Sequence, residues 1–195
     1  MIVTVASYKG GQGKTTTSIH VAALLNRKGP TLLVDGDPNR SASSWAGRKG
    51  FPFPVVDERR ALKEAPKFKH MVIDTRAHPG EADLKELAAG CDQLIIPMTP
   101  DALALDTLHM LRGVLKDYGK YRILLTCVPP PPSRARELMV EALIHEKVPF
   151  FEGFIRRYVA FQKAALEGVL VNEADDKHAQ DAWEDYRKVV QELDF

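Results

Sequence analysis

Apolar residues along this chain follow two rhythms. Short, unbroken runs rich in β-branched side chains occupy residues 2–6, 31–34, 71–73, 93–96 and 122–126. None alternates with polar residues as a half-exposed strand does, so each predicts a strand buried on both faces, as in a parallel sheet. Between the runs the spacing becomes helical. One helix is predicted to begin near Lys14, to carry Ile19, Ala22, Ala23 and Asn26 at helical spacing, and to stop at Gly29-Pro30. A second, capped by Asp101, places Leu105, Leu108, Leu111 and Leu115 on one face. A third, capped by Ser133, runs through Leu138, Ala142 and His145. This alternation predicts an α/β fold with a doubly wound, mostly parallel sheet flanked by helices. Residues 129–132 are all proline and predict a stiff loop, because proline enters neither a helix interior nor a central strand. Residues 48–70, with Pro52, Pro54, Pro66 and seven basic side chains, show no clear period.

Composition narrows the class without changing that picture. At 195 residues, with 45% hydrophobic and 27% charged side chains, the chain reads as one globular domain over residues 1–195. The net charge of +1 conceals an asymmetry: six basic residues against one acid in residues 112–136, and eight acids against three basic residues in residues 172–195. Such a split allows a local anion-binding face on a protein that is not basic overall. Cys91 and Cys127 form no CxxC pair and stand near no histidine at a metal-ligand spacing, which predicts two reduced thiols. The opening MIVTVASYKGG lacks the basic region and cleavage site of a signal peptide, and no apolar run reaches membrane-spanning length; both predict a cytoplasmic protein.

The chemistry is concentrated directly after the first strand, in Lys9-Gly10-Gly11-Gln12-Gly13-Lys14-Thr15-Thr16. Glycines let successive backbone N–H groups turn inward on phosphate oxygens, and the helix that follows adds the positive end of its dipole. In such a loop Lys14 reaches the β- and γ-phosphates of a nucleotide and the Thr15 hydroxyl ligates Mg²⁺. Asp35 and Asp37 follow the second strand in VDGDPNR, and Asp74 closes the run HMVID as a second carboxylate source beside the metal. All three acids leave the carboxyl ends of predicted parallel strands, where open α/β sheets bind ligands.

The standard phosphate loop would have glycine at position 8, where this chain has Tyr8. Its KGGxGKT form, with Lys9 five residues before Lys14, resembles instead the deviant Walker A motif of the ParA and MinD superfamily. The likeness extends through the VDGDP segment, residues 94–100 (LIIPMTP) and residues 153–171 (GFIRRYVAFQKAALEGVLV). It implies a P-loop ATPase, hydrolysing ATP to ADP and phosphate with Mg²⁺, in which Lys9 crosses to the nucleotide of a second copy so that ATP holds a sandwich homodimer. It further implies Asp37 as the residue that orients the attacking water, Thr15, Asp35 and Asp74 around the metal, and Thr126 to Pro130 near the adenine. In this family the ATP dimer binds DNA without sequence preference and a cargo-bound ParB-like adaptor stimulates hydrolysis. Such proteins partition plasmids and chromosomes or position other cargo. Arg156, Arg157 and Lys163 are the implied DNA contacts, with Lys116, Lys120 and Arg122 as further candidates, and the ATP form would associate with the nucleoid. One departure stands out: the family carries prolines after the Walker B aspartate, whereas this chain reads Asp74-Thr75-Arg76-Ala77-His78-Pro79-Gly80.

Two other readings share the loop. A MinD-like membrane switch needs a basic amphipathic C-terminal helix, whereas HAQDAWEDYRKVVQELDF holds five acids and two basic residues. Trp183, Tyr186, Val190 and Leu193 there predict a face packed on the core, so no membrane partner is expected. A metabolic enzyme of the same fold, of the iron–sulfur or amide-ligase kind, needs paired cysteines or a second substrate, and neither cysteine has the spacing for a cluster. No helix-turn-helix stands between residue 1 and the phosphate loop, so sequence-specific operator binding is not expected.

Overall fold

The computed structural model describes residues 1–101 and 104–193, and the backbone alone at Leu105. In those residues the chain runs β1 (Ile2–Val5), α1 (Lys14–Asn26), β2 (Thr31–Asp35), α2 (Ser41–Lys49), β3 (Val55–Asp57), α3 (Glu58–Glu64) and β4 (His70–Asp74). It continues through α4 (Glu81–Ala89), β5 (Gln93–Met98), α5 (Ala104–Leu115), β6 (Tyr121–Leu125), α6 (Ala135–His145), α7 (Ala160–Glu167) and α8 (Ala179–Gln191). The strands form one six-stranded sheet in the order β3-β2-β4-β1-β5-β6, with every pairing parallel.

Helices cover both faces of this sheet, as expected for strands without polar alternation. Val3, Val5, Leu33, Val72, Ile95 and Leu124 point to one side, where α1, α2, α7 and α8 pack on them. Leu94, Ile96, Ile123 and Leu125 point to the other, under residues of α4, α5 and α6. Leu32, Val34 and Val56 make a smaller cluster on that second side, with Ala61 of α3 and Phe68.

The five predicted strands are present, and α1 has the predicted span. Residues 55–57, within the unperiodic stretch, add a sixth strand at the edge. Three residues there leave too short a run for a period to register, and pairing with β2 is what makes it a strand. Arg134, without a side-chain bond, takes the cap position of α6 in place of the expected Ser133, which, one residue earlier, accepts from the Ala135 N–H at 3.3 Å. Leu108, Leu111 and Leu115 of α5 are buried, while the side chain of Leu105 lies outside the described residues. Trp183, Tyr186, Val190 and Leu193 are buried in the core beside α1. Both cysteines are free thiols, and burial pushes each above the ordinary thiol range.

Candidate nucleotide site

Parallel pairing sets the site by bringing three strand ends to one edge. Val5 lies in register with Asp74, and Asp74 with Asp35, so the loops after β1, β2 and β4 leave side by side. The loop after β1 turns into α1 at Gly13, which takes φ 79°, and Gly11 takes φ 78°. Only glycine holds that left-handed backbone without strain, which accounts for both positions in the motif.

Lys14, 7% exposed, heads α1 and lies between two carboxylates, its Nζ 3.1 Å from Asp37 Oδ2 and 3.4 Å from Asp74 Oδ1. Thr15 Oγ1 donates to Asp74 Oδ2 at 2.7 Å, and Ser18, one turn on, donates to Asp74 Oδ1 at 3.0 Å. Burial raises the pKa of Asp74 despite the Lys14 charge and these hydroxyl donors. Asp37 goes the other way: burial favours its neutral form, but the Asn39 N–H and the Lys14 ammonium outweigh it and lower the pKa. One carboxylate is thus held ionised beside the loop while the other sits deep behind it. A hydroxyl and a carboxylate converging next to inward-facing amides are hard oxygen donors of the kind Mg²⁺ takes when it shares a site with phosphates.

The cavity in front of this cluster has a volume of about 550 Å³. Gly10, Gly11, Gly13, Lys14, Thr15, Thr16 and Asp37 line it, and Ala77, from the loop after β4, borders it. A second cavity of about 470 Å³ adjoins it at Gly11, Gly13 and Thr16 and runs under Thr126, Cys127, Tyr158 and Phe161. Lys9 is partly buried and does not line this cavity; it borders a separate small pocket with Tyr8, Gln12 and Thr99.

Several expected site residues take other places. Both oxygens of Asp35 are engaged away from the lysine: Oδ2 accepts from the N–H and hydroxyl of Ser43, at 2.8 and 2.6 Å, and Oδ1 from the Asp37 N–H at 3.3 Å. Fully buried, Asp35 fastens the start of α2, whereas Asp74 takes the place beside Thr15. The Gln12 side chain turns from the phosphate cavity to accept from the Thr99 N–H at 2.6 Å, tying the loop to the end of β5. Thr126 donates to the Gln12 carbonyl and lines the second cavity, and Pro130 does not line it.

Of the three expected DNA contacts, two are paired within the chain. The Arg156 guanidinium meets Asp185 through Nε and Nη2, at 3.0 and 2.7 Å, and lies over the Tyr158 ring. Lys163 pairs with Asp176 at 3.0 Å. Arg157 is exposed, and its side chain borders the second cavity. Arg122 is likewise held, by Gln93 and the Glu192 carbonyl, and Arg76 pairs with Asp83 at 2.6 Å.

A phosphate loop followed by a lysine clasped by two strand-end carboxylates, on an all-parallel sheet of this order, has its counterpart among known proteins. The family model for the CobQ/CobB/MinD/ParA nucleotide binding domain matches residues 3–171. The chain is a ParA/MinD family nucleotide-binding ATPase. Its relatives include the "Maintenance of carboxysome distribution protein A" of Gloeobacter kilaueensis, 38% identical over 205 residues that cover 99% of this chain and 94% of that protein. The protein of the same name from Halothiobacillus neapolitanus is 31% identical over 182 residues, covering 86% and 84%. A solved ATP complex of a Cyanothece McdA variant superposes with a TM-score of 0.70 at 16% identity, over 100% of this chain and 97% of that one, which marks a shared fold.

Residues not expected at the site from the sequence surround this ParA/MinD loop. Ser18 supports Asp74, and the Tyr186 hydroxyl lies 3.0 Å from Thr17 Oγ1, joining α8 to the first turn of α1. His20 is fully buried one turn beyond Thr16. The Val171 N–H donates to its Nε2 at 3.1 Å, so Nδ1 carries the proton and donates to the Thr16 carbonyl at 2.7 Å. The ring stacks on Tyr186 at 5.0 Å, and burial lowers its pKa to about 4. His20 lies off the row Ile19, Ala22, Ala23 and Asn26, so the apolar spacing of α1 gives no signal for it.

Proposed function

We propose that this chain is an ATP-driven positioning ATPase whose cargo is the carboxysome. The observation that carries the enzymatic part is the Lys14 ammonium held between Asp37 and Asp74 at the mouth of the glycine loop. The cargo reading rests on likeness to two carboxysome distribution proteins over most of the chain, whereas likeness to the Protein ParA of Rhizobium radiobacter and the chromosome partitioning protein ParA of Myxococcus xanthus spans about half of it.

On this reading the backbone amides of residues 10–15 and the Lys14 ammonium bind the phosphates of ATP. Thr15 and Asp74 hold Mg²⁺, which supplies charge neutralisation to the phosphoryl group when bound. Asp37, kept ionised by the Asn39 amide and Lys14, orients the water for attack. Lys9, outside the chain's own cavity, serves the nucleotide of a second copy, so ATP and the homodimer form together. A site without a further activating group turns over slowly, which suits a timer released by a cargo-bound adaptor. The ATP dimer binds nonspecific DNA, and Arg157, the exposed member of the three expected contacts, is a phosphate-facing residue there. A membrane role has less support: the apolar face of α8 is spent on the core, and no described helix is long and apolar enough to cross a membrane.

Analytical ultracentrifugation with ATP and with ADP tests this reading. ATP alone is expected to give a dimer, and Asp37→Ala to retain that dimer while steady-state phosphate release falls by about 10²-fold or more. A wild-type chain that remains monomeric with ATP and magnesium would sink the sandwich model.

A further inference from the structure

The cavity before the glycine loop has a second wall that the phosphate-loop motif does not account for. Ser41, Ser44, Trp45 and Arg48 stand at i, i+3, i+4 and i+7 of α2, and all four line the same cavity as Gly10, Gly11 and Gly13 to Thr16. Lys14 and Arg48 are its cationic liners. Lys14 is already faced by two carboxylates, so a polyphosphate entering here meets little net positive charge from the loop side alone. Arg48 is placed differently from its neighbours. Arg40, Arg76, Arg112 and Arg156 are each paired with a carboxylate. Among the described residues Arg48 pairs with none, and its Nη1 donates to the Ala165 carbonyl instead.

Its position is also set by the fold. Gly168, at φ 77°, ends α7 so close to α2 that a Cβ there would stand 2.3 Å from Arg48 Cβ. One turn before it, Trp45 Nε1 donates to the Val169 carbonyl at 2.9 Å. The two contacts dock α2 on the segment after α7, with residue 48 at the cavity.

Resting on the nucleotide-binding reading above, the geometry points to Arg48 as a second phosphate-binding residue, which contacts the polyphosphate of the nucleotide held on the chain's own glycine loop. A guanidinium fork with no carboxylate partner supplies paired donors to phosphate oxygens, which an ammonium on the facing wall cannot reproduce.

Calorimetric titration of ATP and ADP into wild type, Arg48→Gln and Arg48→Lys, at low and moderate salt, tests this. Arg48→Gln is expected to raise the Kd for ATP about tenfold at low salt, with a smaller gap at moderate salt, because a charge–phosphate contact is screened. Arg48→Lys, which keeps the charge and the stem against Gly168, should fall between the two. An unchanged Kd in Arg48→Gln would overturn the assignment, and so would weakening of equal size at both salts or with full loss in Arg48→Lys, since those mark a packing role. If wild type itself binds neither nucleotide, the ATPase reading fails first and takes this assignment with it. Wild-type binding with an indifferent Arg48 variant removes this assignment alone.

Discussion

At the scale of single residues, the same side-chain chemistry does different work according to what the backbone brings near it. Asp37 and Asp35 are two positions apart, yet one faces Lys14 and the other fastens Ser43. His20 shows what full burial does to a titratable group. Its neutral form bridges Thr16 and Val171, and its pKa drops from 6.5 to about 4. The unfolded chain therefore binds more protons between those values, so the contribution of His20 to stability is complete above pH 6.5 and is lost as pH falls toward 4. The shift corresponds to about 3 kcal/mol across that window. Burial and nearby positive charges lower His70 as well, in the same direction. Urea unfolding at pH 7, 6 and 5 should show wild type losing stability over this range, and His20→Gln losing distinctly less. Parallel losses in the two proteins would mean that His20 titrates normally when folded.

Among the elements, the segment between β6 and α8 walls the second cavity, and a half-buried ion pair fastens it. Arg156 joins Asp185 of α8 through its side chain and through its own N–H at 3.0 Å, while the Arg157 N–H pairs with the Val128 carbonyl beyond β6. Asp185 is 4% exposed and Arg156 40%, so removing the acid leaves a half-buried cation without its partner. Asp185→Ala is expected to cost about 2 kcal/mol, below the full cost of a buried pair because water reaches the arginine. A urea midpoint within error of wild type would refute the strut. Asp185→Ala should also weaken nucleotide binding, because Arg156 and Tyr158 line the second cavity.

For the whole molecule, the near-zero net charge means that the proposed DNA binding would rely on a local face rather than on bulk attraction. Several basic residues of the linear chain are neutralised internally: Arg156 by Asp185, Lys163 by Asp176, and Arg112 by Glu146. If the ATP dimer holds DNA through Arg157 of each copy, Arg157→Ala should make the dependence of log affinity on log salt shallower by about two units, near one per lost phosphate contact. Filter binding of nonspecific duplex over a range of salt, with ATP present, measures that slope. A slope equal to wild type would move the contact elsewhere on the dimer.

The linear chain by itself determined the strands, the first helix and the phosphate loop, because these depend on local rules: unbroken apolar runs, a glycine-to-helix turn, and strand-end acids. It also located Lys14, Thr15, Asp37 and Asp74, which the fold then brings together. Tertiary structure decided everything that required two distant segments to meet. It made a strand of residues 55–57 by pairing them with β2, and turned Asp35 to Ser43. It closed the ends of Arg156 and Lys163 on acids further along the chain, and set the α2 wall with Arg48 opposite the glycine loop. Periodicity reports which face of an element is buried. Which charge meets which partner is a matter of three-dimensional proximity, and no spacing rule carries that information.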